Sequence, residues 1–194
     1  MITAAEEGLE KQTRRGETMT SEQEKTMKGL QTAIQMEIDG KEYYLKASQQ
    51  SGNELGKKLL RTLAGEEDLH RQKFEEIYNS IRKEKGWPRT DFLPDGGRNL
   101  RTVFAQATEQ MGPKGKPDST ELDAIKIAMD MENQTYDFYQ QQEKQASYNA
   151  EREFYQALSA QEKEHHLVLL DYYEYLKDPA AWFVEKEHPS LDGG

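Results

Sequence analysis

Six side chains of this 194-residue chain have the types and spacing to do chemistry together: Glu37, Glu67, His70, Glu132, Glu162 and His165. Glu67 and His70 stand three residues apart, and so do Glu162 and His165. On a helix, that spacing holds two side chains about 5–6 Å apart on one face, close enough to serve one cation. Glu37 precedes Glu67 by 30 residues, and Glu132 precedes Glu162 by the same 30. Carboxylate oxygen combined with imidazole nitrogen suits iron or manganese, with no thiolate required. Four carboxylates carry four negative charges, which two divalent ions would cancel. A single Glu-x-x-His is weak in so glutamate-rich a chain. Glu185 and His188 form a third such pair, but no Glu lies at the matching distance in an apolar stripe, and His188 reads as a solvated tail residue. The weight rests on the agreement between the other two sets.

That agreement extends well beyond the six. The chain repeats itself at an offset of 95. Along spacings of 3 and 4, Leu60, Leu63, Glu67, His70, Phe74, Ile77 and Ile81 match Tyr155, Leu158, Glu162, His165, Leu169, Tyr172 and Leu176. Met27, Leu30, Ile34, Glu37, Lys41, Tyr44 and Ser48 match Leu122, Ile125, Met129, Glu132, Tyr136, Tyr139 and Glu143. Alternating 3 and 4 is the seam of a left-handed helical bundle. The six candidates therefore lie on apolar stripes, where each unpaired buried ion costs several kcal/mol. Against about 5–15 kcal/mol of total stability for a typical domain, four such charges demand compensation. Two bound metals supply it; a metal-free bundle with buried ion pairs is the competing reading.

Helices must position these residues, and four long ones are readable, over about 21–50, 53–85, 119–146 and 149–176. Ser21 with Glu24 reads as a capping box. Gly52 ends the first stretch and Asn53 caps the second. Asp178–Pro179 stops the fourth. Gly86, Pro88, Pro94, Gly96 and Gly97 break the period between the second and third, so a crossover over 86–118 is expected, with one short helix from Asn99 to Gln110. Short, long, short connections describe two helical hairpins joined by a crossover. The expected fold is an all-α antiparallel four-helix bundle over 21–177. Residues 1–20 read as a flexible N-terminal arm, and 178–194 as a short C-terminal helix, carrying Trp182 and Phe183, followed by a tail.

Composition narrows the remaining classes. A net charge of −10 argues against a nucleic-acid partner. No cysteine means no disulfide and no thiolate site. Three valines in the whole chain disfavour sheets. Leu, Ile, Val and Phe are scarce and mean hydropathy is −1.02, so disorder is the outcome to beat; ten Tyr and seven Met supplement the core. No apolar run approaches the roughly 18 residues that span a bilayer. No apolar segment follows the N-terminus or Arg14–Arg15, so no secretory signal is read and a cytoplasmic location is expected. The glycine pair in Asp95-Gly-Gly-Arg98 lacks a strand context and does not read as a phosphate loop.

Four segments, Ala33–Tyr44, Leu63–His70, Met129–Tyr139 and Leu158–His165, resemble the rubrerythrin branch of the ferritin-like diiron proteins. The resemblance covers about 21–177. It implies a carboxylate-bridged diiron centre, with Glu67 and Glu162 bridging both irons, Glu37 and His70 completing one, and Glu132 and His165 the other. It further implies an oxidoreductase whose diferrous centre reacts with O2 or hydrogen peroxide, and a homodimer. Two departures stand out. Rubrerythrins proper carry a cysteine-ligated rubredoxin module, which these residues cannot form, so a reductase would need an external electron donor. They also carry another Glu one turn after the third-helix ligand, where this chain has Thr135. The set therefore looks like a symmetric four-Glu, two-His ferroxidase site, and a non-catalytic iron-handling role is the alternative. Tyr44 and Tyr139, each seven residues beyond a ligand, either bond a ligand carboxylate or simply fill the core. Lys41 is expected to snorkel outward, Glu66 and Gln161 to face water, and His166 to be exposed. Trp87, Trp182 and Phe183, beside loops, are expected to pack over a bundle end or a dimer contact.

Overall fold

None of the six prolines falls within 21–82 or 119–177, and both stretches are helical apart from one short turn each. The computed structural model describes residues 21–83, 86–88, 92, 95–112 and 119–187. Among these, α1 spans Ser21–Gln50, α2 Glu54–Arg82, α3 Arg98–Met111, α4 Ser119–Gln145, α5 Asn149–Lys177 and α6 Pro179–Glu187. α1 pairs with α2 and α4 with α5, and the two hairpins pack as a four-helix bundle, meeting chiefly through α1 against α4. α3 lies across α2 and α5. Among the described residues no helix is long and apolar enough to cross a membrane. The proposed N-terminal arm and the tail with His188 lie outside the described residues.

The seam residues bury as their spacing predicts, but in two separate apolar clusters. Leu30, Phe74, Ile77, Tyr139, Tyr155 and Leu158 form one. Tyr44, Leu60, Leu63, Ile125, Leu169 and Tyr172 belong to the other. On every bundle helix the candidate residues fall between them. Glu37 lies between Leu30 and Tyr44, and Glu162 and His165 lie between Leu158 and Leu169.

The tight turns explain where the helices start. Asn53 caps α2, its Oδ1 accepting from the Gly56 amide at 2.6 Å. The Asn53 amide donates to Glu121 Oε2 at 3.1 Å and to the Tyr172 hydroxyl at 2.9 Å. Ser51 Oγ and the Tyr172 hydroxyl both donate to Glu121 Oε1 at 2.5 Å. Glu121 thus ties the second hairpin to the turn of the first. At the other end, Glu151 accepts from the Ser147 and Tyr148 amides and from Thr26 Oγ1 of α1. The offset of 95 pairs Thr26 with Glu121 and Gly56 with Glu151, so each end is clasped by a glutamate supplied from the opposite partner position.

Gly56 packs so closely that a Cβ there would collide with the Tyr172 hydroxyl, Glu121 Oε1 and Ser51 Oγ. Helix propensity alone favours Ala over Gly by about 1 kcal/mol. We nonetheless expect Gly56→Ala to lose about 1–3 kcal/mol through overpacking. A denaturant midpoint equal to or above that of the parent would refute this packing.

The crossover is placed by chemistry that has no period. Gly96 and Gly97 adopt φ of 65° and 72°, a region that glycine enters without steric cost. The Asp95 carboxylate accepts from the amides of Gly97 at 2.8 Å and Asn99 at 3.0 Å. The glycine pair therefore serves a helix start whose amides are already satisfied by a side chain. Trp87 and Phe92 pack on Phe154 of α5. Trp182 of α6 packs edge-on against Phe104 and Tyr175.

Candidate metal centre

α1 contributes Glu37, α2 Glu67 and His70, α4 Glu132, and α5 Glu162 and His165. All six are buried, none more than 3% exposed. They converge as two overlapping groups, Glu37/Glu67/His70/Glu162 and Glu67/Glu132/Glu162/His165. In each group, one ligand atom per residue lies within 4.8 Å of all the others. Glu67 and Glu162 belong to both. His70 Nδ1 stands 3.4 Å from Glu37 Oε2, 3.7 Å from Glu67 Oε2 and 3.2 Å from Glu162 Oε1. His165 Nδ1 stands 3.1 Å from Glu67 Oε1, 3.6 Å from Glu132 Oε2 and 3.6 Å from Glu162 Oε2. The two imidazoles stack nearly parallel, with centroids 5.7 Å apart.

Several of these inward-facing atoms make no hydrogen bond: Glu37 Oε2, Glu67 Oε1, both Glu162 oxygens and the Nδ1 of each histidine. Buried polar atoms are normally satisfied. A cluster of unsatisfied carboxylate oxygens and imidazole nitrogens, all directed at one centre, has the donor set that a pair of divalent cations requires.

Without a cation, protons balance the charge. Burial, helped by the charge of Glu67, pushes the Glu37 carboxyl well above 4.5. Burial, with the charges of Glu162 and Glu67, does the same to Glu132. Burial also acts to raise Glu67, but contacts with Glu37, His165 and His70 hold it well below its ordinary value. Burial and the Glu67 charge act to raise Glu162, yet the two imidazoles bring it down to about 2. Burial opposes charge on the imidazoles, and the carboxylates around them win. His70 is held well above 6.5, first by Glu37, and His165 likewise, first by Glu132. Glu37 and Glu132 are thus biased towards the neutral form, Glu67 and Glu162 towards the ionised form, and both imidazoles towards protonation.

Tyr44 and Tyr139 do bond the candidate carboxylates Glu132 and Glu37, and the bonds cross between hairpins. The Tyr44 hydroxyl of α1 donates to Glu132 Oε1 of α4, and the Tyr139 hydroxyl of α4 donates to Glu37 Oε1 of α1. Burial raises both phenols well above 10, so both remain protonated donors. Each bond holds one oxygen of its carboxylate and leaves Oε2 facing the centre.

Three expectations need correction or refinement. Glu66 and Gln161 do not face water; they are 8% and 7% exposed, and Gln161 Nε2 donates to Glu66 Oε2 at 3.1 Å. His165 Nε2 lies 2.9 Å from the same Glu66 oxygen. A residue beside the seam on a helix can turn inward when a buried partner awaits it, and the matched offset of 95 between these two polar residues was the available signal. His166 is half-buried, its Nδ1 3.3 Å from the Met129 carbonyl. Lys41 reaches outward as expected, to pair with Asp68 at 2.7 Å. The Thr135 hydroxyl donates to the Met131 carbonyl of its own helix. Phe92, which no period marks, lies edge-on to His70 with centroids 5.7 Å apart. An open groove of about 600 Å³, lined by Glu22, Lys25, Phe138 and Gln142 among others, is lined by none of the six.

The family model for rubrerythrin matches residues 28–173, which include all four bundle helices' contributions to this centre. The chain belongs to the rubrerythrin family. None of the curated proteins and none of the solved structures compared with it is significantly similar. The 194 residues include no cysteine, hence none of the thiolates of a rubredoxin module.

Proposed function

We propose that this protein is a diiron-carboxylate oxidoreductase whose diferrous centre is oxidised by hydrogen peroxide or O2. The six ligands would be Glu37, Glu67, His70, Glu132, Glu162 and His165, with Glu67 and Glu162 shared. The observation that carries this reading is the pair of overlapping buried groups, each with three carboxylates and one imidazole aimed inward. When bound, two ferrous ions supply two electrons, enough to reduce one hydrogen peroxide to two waters with uptake of two protons. The chain's own contribution is positioning and charge balance. Tyr44 and Tyr139 fix the two non-shared carboxylates, and Phe92 packs against the His70 ring. Electrons for turnover would come from a separate donor.

The test is to load chelated protein anaerobically with two equivalents of ferrous ion and mix it with peroxide or O2. Oxidation faster than that of free ferrous ion, lost on loading with Zn2+ instead, is the expected result. Rates equal to those of free ferrous ion would overturn the reading. Repeated turnover with a reductant would separate an enzyme from the alternative, a protein that takes up and hands on iron. That alternative is favoured by the near-symmetry of the ligand set and by Thr135.

A further inference from the structure

Immediately beside the two shared glutamates, the pseudo-twofold that relates the two halves fails. The repeat places Glu66 of α2 opposite Gln161 of α5, each immediately before a shared glutamate. Glu66 sends its carboxylate to the Nε2 edge of His165, at 2.9 Å. Symmetry would send Gln161 to His70. Instead Gln161 donates to Glu66, and its own Oε1 finds no partner. Among the described residues His70 Nε2 likewise has no partner, and the Phe92 ring packs steeply against the His70 ring with centroids 5.7 Å apart.

The consequence for the two rings differs. A carboxylate oxygen accepts, so Glu66 places the hydrogen of His165 on Nε2 and leaves the Nδ1 lone pair for a cation. It also fixes the ring's orientation and raises its basicity. Among the described residues nothing does this for His70, so no acceptor there fixes its tautomer or receives its buried Nε2–H when Nδ1 binds a cation. Glu66 further adds a negative charge beside one position only.

We infer that Glu66 is a positioning residue that makes the two cation positions unequal, so that the one served by His165 fills first. The expected separation is about 10–100-fold in affinity, the usual worth of such a partner to a metal-bound histidine. The inference rests on the dimetal reading above, and the experiment keeps the two apart. Zn2+, which is redox-inert, is titrated into chelated full-length protein in competition with a chromophoric chelator. The parent should bind two ions in two resolved steps. Glu66→Gln, which equalises the halves by weakening the first step, should bring the steps together. Gln161→Glu, which equalises them by strengthening the second, should do so from the other side. His70→Ala should keep the tight step and His165→Ala should lose it. Two equal steps in the parent, an unchanged separation in both equalising variants, or the reverse result with the histidine variants would overturn the inference and leave the dimetal reading standing. Fewer than two ions bound by the parent would sink both.

Discussion

Loading with metal will raise the melting temperature strongly near neutral pH, and the gain will shrink as the pH falls. A cation that binds only the folded chain stabilises it by about 4 kcal/mol at a thousandfold excess over its Kd. Two cations, at about 2–4 °C per kcal/mol for a chain of this size, give a rise on the order of 20 °C. The metal-free protein should show the opposite pH trend over part of the range. Glu37, Glu132, His70 and His165 all have folded-state values above their ordinary ones. Each therefore contributes fully below its ordinary value, 4.5 for the glutamates and 6.5 for the histidines, and that contribution is lost as pH rises through the raised value. Glu67 and Glu162 work the other way. Their contribution is present above 4.5 and is lost as pH falls through their lowered values, about 2 for Glu162. Loading must displace the protons that these raised groups hold, so uptake of cations should release protons. Calorimetry in buffers of different ionisation enthalpy measures that release. An unchanged melt after verified chelation, or no proton release on loading, would contradict the charge balance described for the centre.

The second large effect concerns stoichiometry. Glu67 and Glu162 belong to both groups, whereas Glu37 and Glu132 belong to one each. Glu162→Ala or Glu67→Ala should therefore reduce bound metal from two ions towards none. Glu37→Ala or Glu132→Ala should leave about one. Elemental analysis after equilibration with a modest excess of metal reads the difference, and circular dichroism confirms that each variant is folded. Removing a shared carboxylate also leaves the imidazoles that pulled its pKa down without that counter-charge, so these two variants should melt lowest when metal-free. Equal metal content across all four would undo the distinction between shared and non-shared ligands.

Much of this centre could be read from the chain because two independent periods coincide at it. The 3–4 alternation marks what faces inward, and the offset of 95 marks what is matched. Charged residues that satisfy both, such as Glu37 and Glu132, are conspicuous. Helix limits were legible where a local interaction sets them, as at Asn53 and at Asp178–Pro179. The short helix expected from Asn99 is observed from Arg98, because the Asp95 side chain starts it one residue earlier. Glu66 and Gln161 were misread because they sit beside the seam, at an angle where burial depends on the partner across the interface. The crossing of Tyr44 to Glu132 and Tyr139 to Glu37 was hidden for a related reason. Spacing along one helix reports which residues share a face, but not which face of another helix they meet. Phe92 lies in a segment with no period, and only its contact with His70 shows its place.

Neither hairpin by itself supplies a complete group of candidate ligands. The first group takes Glu162 from the second hairpin, the second group takes Glu67 from the first, and both tyrosine bonds run between the two. Loading would thus be coupled to assembly of the halves, and a cation would act as a rivet whose hole exists only once both plates are aligned.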